Sequence, residues 1–199
     1  MSFWIKNIKL KGELVELIPL TKEHEQSLSK AVQDGELWKL WYTGVPSPES
    51  TSNYIQSALD SKKNDGWLAF VVKDLKTQKI VGCTRYCNVD NNHKRLEIGY
   101  TWYSKSTQRT GINTEVKFLL LKHAFEALNA IAVEFRTHWF NQQSRAAITR
   151  LGAKQDGVLR NHQKMADGSF RDTVVFSIIE SEWLSVKKHL QSKMINYRH

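Results

Sequence analysis

Cysteine is nearly missing from this chain of 199 residues, which has only Cys83 and Cys87. They lie four apart in one expected strand and point the same way, at a separation along the strand that suits a disulfide poorly. Two thiols cannot complete a tetrahedral zinc site, so disulfide scaffold and zinc finger are both excluded. Small buried residues are the expected role of both. Proline is scarce (3 residues), and the 10 glycines are scattered, so nothing marks a linker between two domains. Long hydrophobic runs are missing as well. The longest, such as 67–72, has five or six residues, far short of the roughly 20 that cross a bilayer. The opening MSFWIKNIKLKGELVEL lacks an apolar core bounded by a cleavage site, so no signal peptide is expected. Neither an internal repeat nor a low-complexity stretch is found. One domain over 1–199, with a core of about 12–179, is expected, in the cytoplasm and without a membrane partner or a metal.

What is present is globular: 41% apolar and 25% charged residues, enough for a full core without staples. There are 29 Lys+Arg against 20 Asp+Glu, a formal charge of +9. The excess is uneven. Residues 1–100 carry 14 basic and 12 acidic residues, and residues 101–199 carry 15 and 8. A basic half points to an anionic partner, either nucleic acid or a phosphate-bearing cofactor. The basic residues Lys105, Arg109, Lys117, Lys122, Arg136, Arg145 and Arg150 are spread singly, unlike a nucleic-acid tail, and their plain reading is a solvated surface.

The pattern of residues gives an element order. Glu13–Leu20 reads as a strand. Thr21 is placed to cap a helix over Glu23–Val32. Ser47-Pro48 reads as a second helix start, with Tyr54, Ile55, Ala58 and Leu59 on one face. Trp67–Val72 and Lys79–Val89 are strands around a turn at Asp74–Gln78. After a turn at Asp90-Asn91-Asn92 comes a strand over Arg95–Tyr103. The clearest helix spans Ile112 to Leu128, with Leu121, Ala124, Phe125 and Leu128 at helical spacing. Ile131–Trp139 is a strand, and Asn141–Leu151 a short helix closed by Gly152. Val158–Met165 and Thr173–Ile179 form a hairpin over Ala166–Ser169. Trp183, Val186, Leu190 and Met194 mark a last helix, about 181–195, capped by Ser181. The order β-α-α-β-β-β-α-β-α-β-β, then a helix, predicts a mixed α/β sheet rather than a doubly wound nucleotide fold.

Between strand 95–103 and the clearest helix lies Gln108-Arg109-Thr110-Gly111-Ile112-Asn113-Thr114. The first N–H groups of a helix have no internal partner, and the helix dipole adds positive potential there, so phosphate oxygens fit such a place. Gly111 would allow close backbone approach. Gln108, Arg109, Asn113 and Thr114 could add side-chain donors. The plain alternative is an ordinary loop capped by Thr110 or Asn113; no Walker lysine follows, and the remaining glycines of a dinucleotide fingerprint are missing.

Three motifs on these elements carry a resemblance. They are Glu97-Ile98-Gly99-Tyr100; Gln108-x-x-Gly111-x-Asn113; and Asn141-x-x-Ser144 followed by Leu151-Gly152-Ala153 and Asp156-Gly157-Val158-Leu159-Arg160. In order and spacing the chain resembles the GNAT superfamily of N-acetyltransferases, and within it the branch of ribosomal-protein alanine N-acetyltransferases. The resemblance spans about 12–179. Asn113 stands where that family usually has Gly or Ala, and Ala153 replaces a common aromatic. The resemblance implies that acetyl-CoA lies between strands 95–103 and 131–139, which splay apart. Its pantetheine would bond backbone near Trp102 and Tyr103, with Asn141 holding it. Its pyrophosphate would rest on Gln108, Arg109, Gly111, Ile112, Asn113 and Thr114. The implied reaction is direct attack of a primary amine, on a protein N-terminus or a small molecule, on the thioester.

Only a neutral amine attacks, so a base must take a proton. Glu97 is the candidate base; for the acid that protonates the leaving thiolate the resemblance implies Ser144, where members of that branch have a serine, with Tyr100 and Tyr103 as alternatives. A backbone N–H near Trp102 or Tyr103 would polarise the carbonyl. Trp38 and Trp41, between the first two helices, and Arg85 are candidates for the acceptor site. Each has a plain competitor. Glu97 could be a solvent-facing strand residue paired with Lys94 or Arg95, Asn141 a helix cap, one of the tryptophans core, and Arg85 an edge-strand surface charge; His138, on the strand 131–139, reads either as substrate-facing or as a hydrogen-bonded structural residue. A non-enzymatic RNA module on the basic half, or a silent CoA-binding relative, are the competing functions; no RNP-like aromatic pattern supports the first. The oligomeric state, monomer or homodimer, stays open.

Overall fold

The computed structural model describes residues 3–196. Eight strands form one sheet: β1 Leu10–Lys11, β2 Val15–Pro19, β3 Leu68–Asp74, β4 Ile80–Asp90, β5 Arg95–Tyr103, β6 Ala132–His138, β7 Lys154–Lys164 and β8 Phe170–Ile179. Their spatial order is β1-β2-β3-β4-β5-β6-β8-β7. Every neighbouring pair is antiparallel except β5 and β6, which run parallel because a helix connects them. The helices are α1 Glu25–Gln33, α2 Thr51–Asp65, α3 Ile112–Lys122, α4 Gln142–Arg150 and α5 Trp183–Asn196.

The middle strands carry apolar residues at successive positions because helices cover both faces. Phe70 and Val72 of β3 pack with Val116, Leu120, Trp183 and Leu190 on the α3–α5 side. Ala69 and Val71, on the opposite face, pack with Leu28, Val32, Ile55 and Ala58 of α1 and α2. The expected order of elements is found, with the two-residue β1 added at the edge.

The differences lie at element ends. Ser47 and Pro48 precede α2 in a turn in which the Ser47 N–H donates to Ser50 Oγ (2.8 Å), and Ser50 is the cap residue. A single 3-10 turn, Lys22–His24, separates Thr21 from α1. The long helix keeps α geometry only to Lys122 and then widens into a π turn over His123–Ala127. Ser181 is not a cap but the middle of a 3-10 turn, Glu180–Glu182, leading into α5. The closing hairpin is longer than expected, starting at Lys154.

Candidate active site

The parallel strands β5 and β6 pair at three positions only: Arg95↔Ala132, Leu96↔Val133 and Glu97↔Glu134. Beyond Glu97, β5 continues to Tyr103 bonded to β4 alone, and β6 continues to His138 bonded to β8 alone. The two strands thus fork, and the β5 edge from residue 98 onward has no β6 partner. Two irregularities shape this strand. Thr84 of β4 faces both Tyr100 and Thr101, a bulge that puts Tyr100 at φ +52°. Nearer the fork, Asn88 and Val89 face Leu96 alone, with Asn88 at φ +46°.

Glu97 sits at the fork and is only 7% exposed. The Asn88 bulge aims its amide at the carboxylate, and Nδ2 donates to Glu97 Oε2 at 2.6 Å. Arg136 Nε lies 3.6 Å from the same oxygen. Burial pushes the Glu97 pKa up, while Asn88 and Arg136 pull it back only in part. Glu134, its register partner, goes the other way: burial raises it, but Arg95 (2.6 Å) and Arg136 (2.9 Å) outweigh that and hold it below its ordinary value. Two adjacent carboxylates therefore have separated acidities. Neither Lys94 nor Arg95 pairs with Glu97, and it is not solvent-facing.

The loop 104–111 brings helix α3 to the end of the fork. Gln108 Nε2 donates to the Tyr103 carbonyl (3.2 Å), and Thr110 Oγ1 accepts the Ile112 N–H (3.3 Å). Helical bonding begins with Glu115 N–H on the Gly111 carbonyl (3.0 Å). The N–H groups of Asn113 and Thr114 precede it and have no intrahelical acceptor. The left-handed residue of the turn is Arg109 (φ +63°); Gly111 itself is right-handed (φ −67°), so Gly111 is not there to supply an unusual backbone angle.

Asn141 caps α4, its Oδ1 accepting the Ser144 N–H at 3.0 Å, and Ser144 is half-buried in the first turn. On the α1–α2 side of the sheet, Arg85 is buried (3% exposed) in an interior strand, not on an edge. Its guanidinium lies 4.4 Å from the Tyr54 ring and 4.3 Å from the Tyr100 ring, and its Nε has no hydrogen-bond partner among the described residues. The two tryptophans separate. Trp38 packs against the α1–α2 core, whereas Trp41 is 56% exposed and stands edge-on to His138 at 4.9 Å. Trp102 is buried, its indole N–H on Tyr54 Oη (3.3 Å), and the Tyr103 ring faces the α3 side. His138 is buried at the end of β6. Its Nδ1 accepts the Phe140 N–H (3.1 Å), which leaves Nε2 as the donor, without a partner among the described residues. Cys83 and Cys87 are free and buried.

Three residues escape a reading of the sequence alone. Asn88 is hidden because a bulge, not a motif, delivers it. Arg136 reads as one of many scattered cations. Lys117 reads as surface, yet it is 5% exposed beneath the sheet. Its signal is the helical stripe it shares with Leu121, Ala124 and Leu128. Among the described residues, no group of three or more His, Cys, Asp or Glu is placed to hold a metal ion, and no helix is long and apolar enough to cross a membrane.

Comparison with known proteins places this geometry. Residues 15–154 match the family model of the acetyltransferase (GNAT) domain. YdaF of Bacillus subtilis (strain 168), provisionally named a ribosomal N-acetyltransferase, is 26% identical over 81% of this chain and 88% of its own length. The crystal structure of a GCN5-related N-acetyltransferase from Brucella melitensis superposes with a TM-score of 0.84 at 27% identity, covering 96% of this chain and 86% of that one. The microcin C7 self-immunity acetyltransferase MccE, crystallised with acetyl-CoA and AMP, shares the fold with a TM-score of 0.72 at 18% identity, covering 84% of this chain and 93% of its own. With its forked sheet, its open helix start and a match over most of its length, this chain belongs to the GNAT family and is an acetyltransferase.

Proposed function

We propose that the enzyme transfers the acetyl group of acetyl-CoA to a primary amine by direct attack on the thioester, with Glu97 as the base. The observation that carries this reading is the fork itself: β5–β6 pairing stops at the residue whose carboxylate is buried, raised in pKa and hydrogen-bonded by Asn88. A thin ligand arm extended along the free β5 edge would find backbone N–H and carbonyl groups near Trp102 and Tyr103 without a β6 partner. Its diphosphate would meet the Asn113 and Thr114 N–H groups at the start of α3, with Gln108, Arg109, Gly111 and Ile112 completing the turn. The MccE complex shows that this fold accommodates acetyl-CoA in that protein. The basic excess of residues 101–199 suits an anionic donor.

In this reading Glu97, as carboxylate, takes the proton of the incoming ammonium directly or through water. The neutral nitrogen attacks the carbonyl, a β5 backbone N–H past the bulge receives the developing oxyanion, and as the C–S bond breaks the departing thiolate collects a proton from Ser144, which regains one, directly or through water, as the nitrogen loses its second proton to become the amide. Asn141 supports the donor with the part of its amide not used in the cap. Arg85, between the Tyr54 and Tyr100 rings, and Trp41, beside His138 at the end of β6, contribute to the acceptor site; Trp38 packs in the core and shapes that site from behind. The resemblance to a ribosomal branch favours a protein N-terminus, and the half-exposed Trp41 leaves room for small amines.

Thermal melting with acetyl-CoA tests the donor: at 100 times its dissociation constant the ligand stabilises by about 2.7 kcal/mol. Glu97→Gln should retain that stabilisation and lose about 10²-fold or more in turnover, within the span of general base catalysis. Because burial raises the Glu97 pKa, the rising limb of wild-type turnover should lie above the ordinary carboxylate range and vanish in Glu97→Gln. An unchanged pH profile in that variant would remove Glu97 as the base.

A further inference from the structure

Lys117 has no place in the chemistry just described, and its surroundings are unusual. It projects from α3 toward the sheet, where its Nζ donates to Thr101 Oγ1 at 2.7 Å and lies 5.6 Å from the Phe135 ring centroid. Thr101 is on β5 and Phe135 on β6, both past the last paired residues of the fork. The amine therefore bridges the two diverging strands from below, at the floor of the gap. It has no ion pair among the described residues. The Thr101 hydroxyl is itself shared with Thr84 Oγ1 (2.8 Å) and the Gly99 carbonyl (3.4 Å), so it cannot neutralise a cation. A methionine would fill such a space at lower cost than an unpaired ammonium.

We infer that Lys117 is a self-acetylation site, its Nζ taking the acetyl group from a donor thioester lying in the β5–β6 gap. The inference rests on the donor-binding reading above. In the step, the lone pair of the neutral amine attacks the thioester carbonyl and a C–N bond forms as the C–S bond breaks. The proton lost by nitrogen goes to the departing thiolate, so one acetyl-CoA gives one acetyl-lysine and one free CoA thiol. The product is an uncharged amide on the gap floor, which adds bulk where the donor lies and so slows later turnovers.

The required neutral amine is available. Burial lowers the Lys117 pKa to about 7, against which Cys87 of β4 and Glu97 of β5 pull it upward. From β6 the residue facing it is the uncharged Phe135, and the α5 contacts to this region fall on Phe118, Phe125 and Glu126 instead. Lys117 is thus neutral at pH 7 far more often than a solvated lysine, which is neutral in roughly one molecule in a few thousand.

The test uses the full chain and acetyl-CoA with no added amine, from pH 6 to 9, with the acetyl occupancy of every lysine read by mass spectrometry. The expected result is acetylation of Lys117 at least about 10-fold faster than of any other lysine, as the neutral fractions require. Its rate should rise through pH 7 and flatten, while exposed lysines keep climbing to pH 9. Lys117→Arg and Lys117→Met should each abolish the single equivalent of thiol released without acceptor, and at least one of them should keep the wild-type Tm shift with acetyl-CoA. A normal Tm shift in the wild type with Lys117 unmodified, or modified no faster than exposed lysines, overturns the inference alone. A wild-type Tm that acetyl-CoA does not move overturns the donor reading, and this inference with it.

Discussion

Glu97 and Lys117 lie on opposite faces of the same fork, and burial drives both toward their neutral forms. The consequences for stability have opposite signs in pH. A carboxyl whose folded pKa is raised stabilises the fold at low pH and loses that contribution as pH rises through the folded value. A lysine whose folded pKa is depressed does the reverse. Its contribution is whole above its ordinary 10.5 and is lost as pH falls toward about 7. Replacing Lys117 by Met should remove this second dependence. Denaturant unfolding of wild type and Lys117→Met at pH 9.5 and 6.5 should show the variant gaining about 3–4 kcal/mol relative to wild type at the lower pH, the free energy of some three pKa units. An equal difference at both pH values would place the amine in water, contrary to its burial. Much of this scale was hidden in the sequence. Glu97 is legible beside Ile98-Gly99-Tyr100, but Asn88 reaches it only because an extra residue bulges out of β4, and pairing registers are not written in local spacing.

Elements were more legible than residues, because burial imposes a period. The stripes of α2 and α3 announce the two helices, and Asn141 announces the start of α4, where it indeed caps. What failed were the joints. Ser50, not Ser47, holds the position before α2, and its hydroxyl bonds Ser47 rather than the helix's own N–H groups. Nor does spacing betray how the sheet edge is held to the helix layer. Glu115 of α3, about 100 residues away in sequence, accepts the backbone N–H groups of Glu13 (3.0 Å), Leu14 (2.8 Å) and Val15 (2.9 Å). Gly12 is needed beside it, since a Cβ there would lie 2.5 Å from the carboxylate. Unsatisfied buried donors cost about 1–3 kcal/mol each. Glu115→Ala should therefore destabilise by about 3 kcal/mol or more, with the loss concentrated at β1 and β2. A guanidinium titration followed by hydrogen exchange of 10–19 measures both, and a change under about 1 kcal/mol would show that water takes over the clasp.

At the scale of the molecule, the fork divides the sheet into two blocks. Strands β1 to β5 form one, and β6, β8 and β7 the other. Three register pairs join them, together with the Arg95–Glu134 and Arg136–Glu97 contacts and the helices packed below. Every residue that would hold the donor belongs to the open side of this seam or to its rim, so a bound ligand would supply bonds that the sheet omits. Backbone groups without a partner exchange and open more readily than those in a ladder. Saturating acetyl-CoA should therefore slow amide exchange along 98–103 and 111–114 by about 10-fold or more, one decade for each 1.4 kcal/mol of added local stability, while β2 and β3, remote from the seam, change far less. The contrast between the two regions matters more than the size of either. Uniform slowing across the sheet would mean that ligand acts only through global stability. Slowing confined to 111–114 would mean that the diphosphate docks while the arm lies elsewhere, and the thioester would then be out of reach of both Glu97 and Lys117.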